Sequence, residues 1–203
     1  MEREPGLAVD LAPGVYPPSE DSRLLLAAVR VEPGEHVLEL GTGTGYVALH
    51  AAKVARTVAT DIHPDAVRFA RRNATANGRR LAVVRCDLFR GLRGTFDVII
   101  FNPPYLIEGI GGDWEARAWQ GGPTGEELIL RFLREVPPHL ARGGRAYLLV
   151  PSNRERALAA ARERFTVRIA AKKTLFFEEL LALELTDPRQ DLHDVLRGVA
   201  VAE

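Results

Sequence analysis

The sequence predicts an α/β fold, a seven-stranded and mostly parallel sheet with helices on both faces, and three observations carry that expectation. Short apolar runs alternate with helical patterns along the chain, the order that produces a parallel sheet joined by helical crossovers. The run FDVIIF, residues 96–101, is apolar along almost its whole length, as befits a strand buried on both faces. The run ELGTGTG, residues 39–45, joins a strand to a helix through three glycines, which is where an open α/β sheet grips a nucleotide-like ligand. Right-handed crossovers leave few topologies open.

Residues 1–18 hold Pro5, Pro13, Pro17 and Pro18 with little periodicity and read as an irregular arm. From Ser19 the pattern changes, and Leu24, Leu25, Ala28 and Val29 fall at helical spacing, with Ser19 or Asp21 as the cap. HVLEL, residues 36–40, is the first strand, and an Ala-rich helix follows the glycines from Tyr46 to Val54. Thr57 to Thr60 is the second strand, ending at Asp61. The helix from His63 to Asn77 is opened by Pro64 and closed by Gly78. Leu81 to Arg85 and Phe96 to Phe101 are the third and fourth strands. Glu126 to Val136 is helical, with Ile129, Phe132, Leu133 and Val136 on one face, and Pro137-Pro138 stops it. Gly143-Gly144 turns the chain into a fifth strand, Arg145 to Val150. A helix from Arg154 to Arg164 and strands Thr166 to Ala171 and Leu180 to Leu185 close the chain. No repeat, low-complexity tract or Gly/Ser linker divides the 203 residues, so 1–203 is read as one domain. Residues 106–124 form the only long irregular connection, and such loops in compact domains serve as substrate or lid loops.

Lys plus Arg and Asp plus Glu are each 27, and the balance argues against a partner held mainly by phosphate attraction. The single Cys86 excludes an intramolecular disulfide, fits a reducing compartment and reads as a small buried apolar residue. The first residues lack a basic start followed by an apolar run, so no signal peptide is expected. No stretch approaches the roughly 20 apolar residues that span a bilayer. A soluble, cytoplasmic protein without a membrane partner is expected. His36, His50, His63, His139 and His193 lack metal-ligand spacing, so no metal is expected and these residues read as structural or exposed.

Gly41, Gly43 and Gly45 let the backbone approach a ligand. A dinucleotide fingerprint would need a third Gly or an Ala at position 46, which is Tyr46. Glu39, two residues before the first glycine, suits a cationic amino-acid group instead. Asp61 at the end of the second strand can accept from both hydroxyls of a ribose, and Asp87 at the end of the third can accept from an exocyclic amine. Each aspartate alone reads equally well as a turn cap. Together, in this order at strand ends, the acids and glycines resemble those of class I S-adenosylmethionine methyltransferases. That resemblance implies a Rossmann-like fold and S-adenosylmethionine as cofactor.

Asn102-Pro103-Pro104-Tyr105 directly follows the fourth strand. Two prolines stiffen the loop and fix the Asn102 side-chain oxygen and the Pro103 carbonyl in one place. Two fixed acceptors can hold both hydrogens of a planar NH2 group and draw electron density back toward its nitrogen. Tyr105 offers a flat face against which an amide or base can lie, with Pro104 beside it. Asn102, Pro103 and Tyr105 are therefore the catalytic candidates, and Pro104, Tyr105 and Trp119 the candidates for substrate binding. The methyl group then needs only in-line approach at about 3 Å.

Such a tetrapeptide serves adenine N6, guanine N2 and glutamine N5 alike, so the substrate has to come from other segments. VYPPSEDS, residues 15–22, resembles the VYxPxEDS/T segment of the short HemK-type glutamine methyltransferases of archaea and eukaryotes, with VYPPSED where they have VYEPAED. AWQGGPTGEELILRFL resembles their AWxGGxxGxxxxxRF segment, and the likeness runs over roughly residues 15–150. It implies that Ser22, Glu39, Gly41, Gly43, Asp61, Asp87, Leu88 and Asn102 contact the cofactor, and that Trp119, Gly121, Gly122 and Gly125 shape the substrate pocket. The implied substrate is a protein glutamine, in the Gly-Gly-Gln loop of a class 1 release factor. Eukaryotic members work with a small activating partner, and the resemblance leaves room for such a subunit. The alternative substrate is adenine N6 or guanine N2 of rRNA or DNA, with lysine a lesser one. A nucleic-acid enzyme would ordinarily carry a basic face or recognition module, and neither is evident here.

Overall fold

The computed structural model describes residues 1, 4, 6–11, 13–105, 123–175 and 178–189. Five helices are seen among them: α1 (Glu20–Ala28), α2 (Tyr46–Ala51), α3 (Pro64–Ala76), α4 (Glu127–Glu135) and α5 (Glu155–Arg164). The strands are β1 (His36–Leu40), β2 (Arg56–Asp61), β3 (Leu81–Arg85), β4 (Phe96–Phe101), β5 (Leu140–Pro151), β6 (Thr166–Leu175) and β7 (Glu178–Thr186). They form one sheet in the order β3-β2-β1-β4-β5-β7-β6. Pairing is parallel from β3 through β5, and β7 runs antiparallel to both β5 and β6.

Period-two alternation sorts the core onto two faces. Leu38, Leu40, Ile99 and Phe101 pack with Ile129, Phe132 and Leu133 of α4 and Ala157 and Ala161 of α5. Val37, Val98 and Ile100 face the opposite way, onto Leu24, Leu25 and Ala28 of α1 and Val47 and Ala51 of α2. Ala48, Ala59, Val67, Ala70 and Val83 seat α3 against β2 and β3. Complete burial of a side chain such as Leu38 stabilises the fold by about 1.5–3 kcal/mol. The sheet reverses its winding between β1 and β4. Helices leave those two strands in opposite directions there, and a crevice opens at their carboxyl ends.

The structure differs from the sequence expectation at element ends. Gly143-Gly144 does not precede β5 but lies inside it as a bulge, where pairing jumps from Phe96↔Leu140 to Val98↔Arg145. A Cβ on Gly144 would lie 2.9 Å from the Ala141 carbonyl oxygen, so the tight loop-out needs glycine there. Strands β6 and β7 run longer than their apolar cores because they pair with each other out to Leu175↔Glu178. The prolines stop α4 as expected, and the chain then makes a 3-10 turn at Pro137–His139. Of the two cap candidates, Ser19 takes the N-cap of α1, and Asp21 is buried instead. No helix among the described residues is long and apolar enough to cross a membrane.

Candidate active site

At the carboxyl ends of β1, β2 and β4 lies a cavity of about 240 Å³. Ser22, Glu39, Gly41, Gly43, Asp61, Asp87, Leu88 and Asn102 all line it, together with Pro103, Pro104 and Tyr105. Trp119, Gly121 and Gly122 lie outside the described residues.

The glycine loop passes through a narrow gap. Gly45 has φ +87°, and a Cβ on it would come within 3.2 Å of the Ala70 Cβ of α3. The loop is fastened from both sides, with Thr42 N donating to the Thr60 carbonyl at 2.9 Å and Gly43 N donating to Asp61 Oδ2 at 2.9 Å. Above it run the described residues of the N-terminal arm, irregular as expected but bolted down. Asn73, fully buried on α3, accepts from Asp10 N at 2.9 Å and donates to the carbonyls of Asp10 (3.1 Å) and Thr44 (2.8 Å). This anchoring delivers Gly14, Val15 and Tyr16 to the wall of the cavity.

The three acids meant for the cofactor each carry protein contacts. Glu39 is buried; its Oε2 accepts from the Thr42 hydroxyl and, at 2.9 Å, from Ala48 N. Burial pushes its carboxyl up to about 8, against the pull of those two donors. Asp61 is half-buried, with Oδ2 on Gly43 N and Oδ1 on His63 N at 2.9 Å, and burial raises its carboxyl as well. Asp87 accepts from Arg131 Nη1 of α4 at 2.7 Å, and the same guanidinium bonds Glu135 through Nε at 2.7 Å. Leu88 follows with φ +46°, an uncommon conformation for a side chain branched at Cγ, and is almost completely buried. Cys86 is buried and donates from Sγ to the Leu88 and Arg90 carbonyls at 3.1 and 3.0 Å, so it holds the turn that presents Leu88.

The tetrapeptide side is built differently. Asn102 Nδ2 donates to Asp21 Oδ2 at 3.0 Å, while Asn102 Oδ1 is buried and finds no hydrogen-bond partner among the described residues. Asp21, 3% exposed, also accepts from the Tyr16 hydroxyl at 2.9 Å, and from Ser22 N at 2.6 Å and Ser22 Oγ at 3.2 Å. Burial, with the Asp21 carboxylate adding to it, holds the Tyr16 and Tyr105 hydroxyls far above their ordinary range, so both stay neutral. Tyr105 is fixed from behind: Arg154 Nη2 donates to its carbonyl oxygen at 2.9 Å. Gly125, on the far side of residues 106–124, closes on the same carbonyl. Its φ is +74°, and a Cβ there would lie 2.5 Å from the Tyr105 oxygen.

Sequence reading missed the roles of Tyr16, Asp21, Arg131 and Arg154. Tyr16 and Asp21 stand inside VYPPSEDS, where only Ser22 is expected to contact the cofactor and Asp21 reads locally as a helix cap. Arg131 and Arg154 reach the site across 44 and 49 residues, and no local pattern announces such contacts.

A doubly wound sheet, a glycine loop at its reversal point and acids at successive strand ends define a class I Rossmann-like methyltransferase, the class that takes its methyl group from S-adenosylmethionine. The family model of the methyltransferase small domain matches residues 9–176, and the chain belongs to that family. A Methanocaldococcus jannaschii protein provisionally named a protein N5-glutamine methyltransferase is 37% identical over 186 residues, covering 88% of this chain and 94% of that one. Methyltransferase HEMK2 of Mus musculus is 35% identical over 151 residues, 66% of this chain and 71% of its own. Among solved structures, the E. cuniculi Mtq2–Trm112 complex, responsible for methylation of the eRF1 translation termination factor, superposes with a TM-score of 0.69 at 27% identity. The match covers 85% of this chain and 98% of that one. The chain is an N-methyltransferase.

Proposed function

We propose that this enzyme transfers the methyl group of S-adenosylmethionine to the side-chain amide nitrogen of a protein glutamine, in the Gly-Gly-Gln loop of a class 1 release factor. The observation that carries transfer to a planar NH2 group is the Asn102 side chain, clamped at one end by Asp21 and with a buried Oδ1 at the other that has no partner among the described residues; the choice of a glutamine over a base is supported by the likeness to the Methanocaldococcus jannaschii protein and to Mtq2. A buried acceptor in that state stabilises whatever donor reaches it, because its desolvation has already been met in folding.

The residues present fit the cofactor. Glu39 sits where a cationic amino-acid group would restore its charge, Asp61 has lone pairs beyond its two amide bonds for ribose hydroxyls, and Asp87 faces the cavity beside Leu88. Bound S-adenosylmethionine supplies an electrophilic methyl group on sulfur. The protein does the rest by position. Asn102 Oδ1 and the Pro103 carbonyl would hold the two hydrogens of the NH2 group and the neutral Tyr105 ring would lie along the amide plane; the N–C bond forms as the methyl–sulfur bond breaks, leaving a neutral thioether, and the nitrogen loses one proton to solvent. Mtq2 stands in complex with Trm112 in its structure, and a small activating partner of that kind belongs to the proposal.

Incubating the enzyme with labelled cofactor, a class 1 release factor and total RNA tests the reading. Label on the glutamine of the Gly-Gly-Gln fragment is the expected result. Label in nucleic acid with none in that fragment overturns it. Full activity of the isolated chain would remove the partner subunit from the proposal.

A further inference from the structure

We infer that Asp21 is a positioning residue for methyl transfer, selecting the one orientation of the Asn102 amide that turns its oxygen toward the acceptor nitrogen. The inference rests on the proposed role of Asn102 toward a planar NH2 group.

The two ends of an asparagine amide have nearly the same shape, so packing cannot choose between them and hydrogen bonding must. In the observed orientation Nδ2 meets Asp21 Oδ2 at 3.0 Å, donor to acceptor. Rotated by half a turn, Oδ1 would face the carboxylate at that distance, two acceptors in contact. The cavity would then receive N–H donors, which cannot hold the hydrogens of a substrate NH2. Asp21 therefore decides whether the site offers an acceptor or a donor to its substrate.

Asp21 is itself held firmly. Tyr16 OH shares Oδ2 with Asn102, and Ser22 binds Oδ1 through its backbone N–H and its hydroxyl. All four contacts donate to Asp21, and all four donors are neutral. An N–H donating to a carboxylate polarises the amide it belongs to, which raises electron density on Asn102 Oδ1 and strengthens it as an acceptor. The contact joins residues 81 positions apart, so the start of α1 and the end of β4 are brought together at the reacting centre.

Asp21→Asn, Asn102→Asp and the exchanged pair test this. Asp21→Asn is expected to lower kcat roughly tenfold to a hundredfold while the cofactor Kd stays within about threefold. Asn102→Asp sets two carboxylates in contact and should cost at least as much. Adding Asp21→Asn to Asn102→Asp restores a donor facing an acceptor, and kcat should recover about tenfold over Asn102→Asp alone. An exchanged pair no faster than Asn102→Asp, or Asp21→Asn within about twofold of wild type, overturns the inference. The Asn102 side-chain N–H resonance gives a reading independent of substrate: one proton held on a carboxylate lies downfield in wild type and moves upfield in Asp21→Asn. An unmoved resonance sinks the inference. A moved resonance in an enzyme that labels no glutamine sinks the proposed substrate instead, and the kinetic comparison then runs on the substrate that is labelled.

Discussion

Asp61 and Asn102 hold matching places in the sheet, at the carboxyl ends of the two strands that flank β1, yet their polar atoms are used in opposite ways. Both oxygens of Asp61 already accept from loop amides, so the carboxylate shapes the glycine loop before any ligand arrives. Asn102 is fixed at its nitrogen and carries a buried oxygen with no partner among the described residues. On the proposed assignment the cofactor side is thus preorganised by satisfied groups that have lone pairs to spare, and the acceptor side by a group held in readiness. A ligand meeting Asp61 adds to existing bonds, whereas one meeting Asn102 supplies a missing bond.

The difference can be broken most severely at Asn102. Asn102→Ala should lower turnover about a hundredfold to a thousandfold with the cofactor Kd within about threefold, read from single-turnover transfer and from calorimetry. Turnover close to wild type would remove the clamp from the chemistry. Gly125→Ala comes next, since its Cβ would lie 2.5 Å from the Tyr105 oxygen on a backbone of positive φ. A stability loss of about 1–3 kcal/mol in denaturant titration is expected, with a raised KM for the protein substrate. Asp61→Ala should weaken cofactor binding by about 1–3 kcal/mol. An unchanged Kd would leave Asp61 as a turn cap alone.

Glu39 sharpens the contrast through pH. Burial lifts its carboxyl to about 8, above the unfolded value, so its contribution to stability is full below about pH 4 and is lost as the pH rises through 8. The melting temperature of the ligand-free protein should therefore fall between pH 6 and 9 by more than that of Glu39→Gln. A cationic group beside Glu39 favours its charged form, so cofactor binding at pH 7 should release about one proton, measured by calorimetry in two buffers of different ionisation enthalpy. The smallest effect belongs to Arg131→Ala. Its partly exposed pair with Asp87 is worth less than about 1 kcal/mol, and the cofactor Kd should change by no more than about threefold.

Much of this was readable in the sequence, and the parts that were not share a physical cause. Apolar alternation and the turn residues place all seven strands, and Glu39, Asp61, Asp87 and Asn102 stand out because each lies at or just past the carboxyl end of a strand. Local periodicity says where a strand's apolar centre lies and little about its ends, which depend on what it pairs with. Strand β5 gained a bulge at Gly143-Gly144, and β6 and β7 lengthened against each other, for that reason. The same limit hid Asp21, Arg131 and Arg154. Each is unremarkable on its own helix or turn and acquires a role only when folding sets it against a residue dozens of positions away.

The most direct measurement is a structure of the enzyme with S-adenosylhomocysteine and a Gly-Gly-Gln peptide. The glutamine Nε2 should lie within about 3 Å of Asn102 Oδ1, with Asn102 Nδ2 still on Asp21. A peptide amide bound elsewhere in the cavity, with Asn102 Oδ1 still unpaired, would contradict the assignment of that oxygen as the acceptor for the substrate's NH2 group.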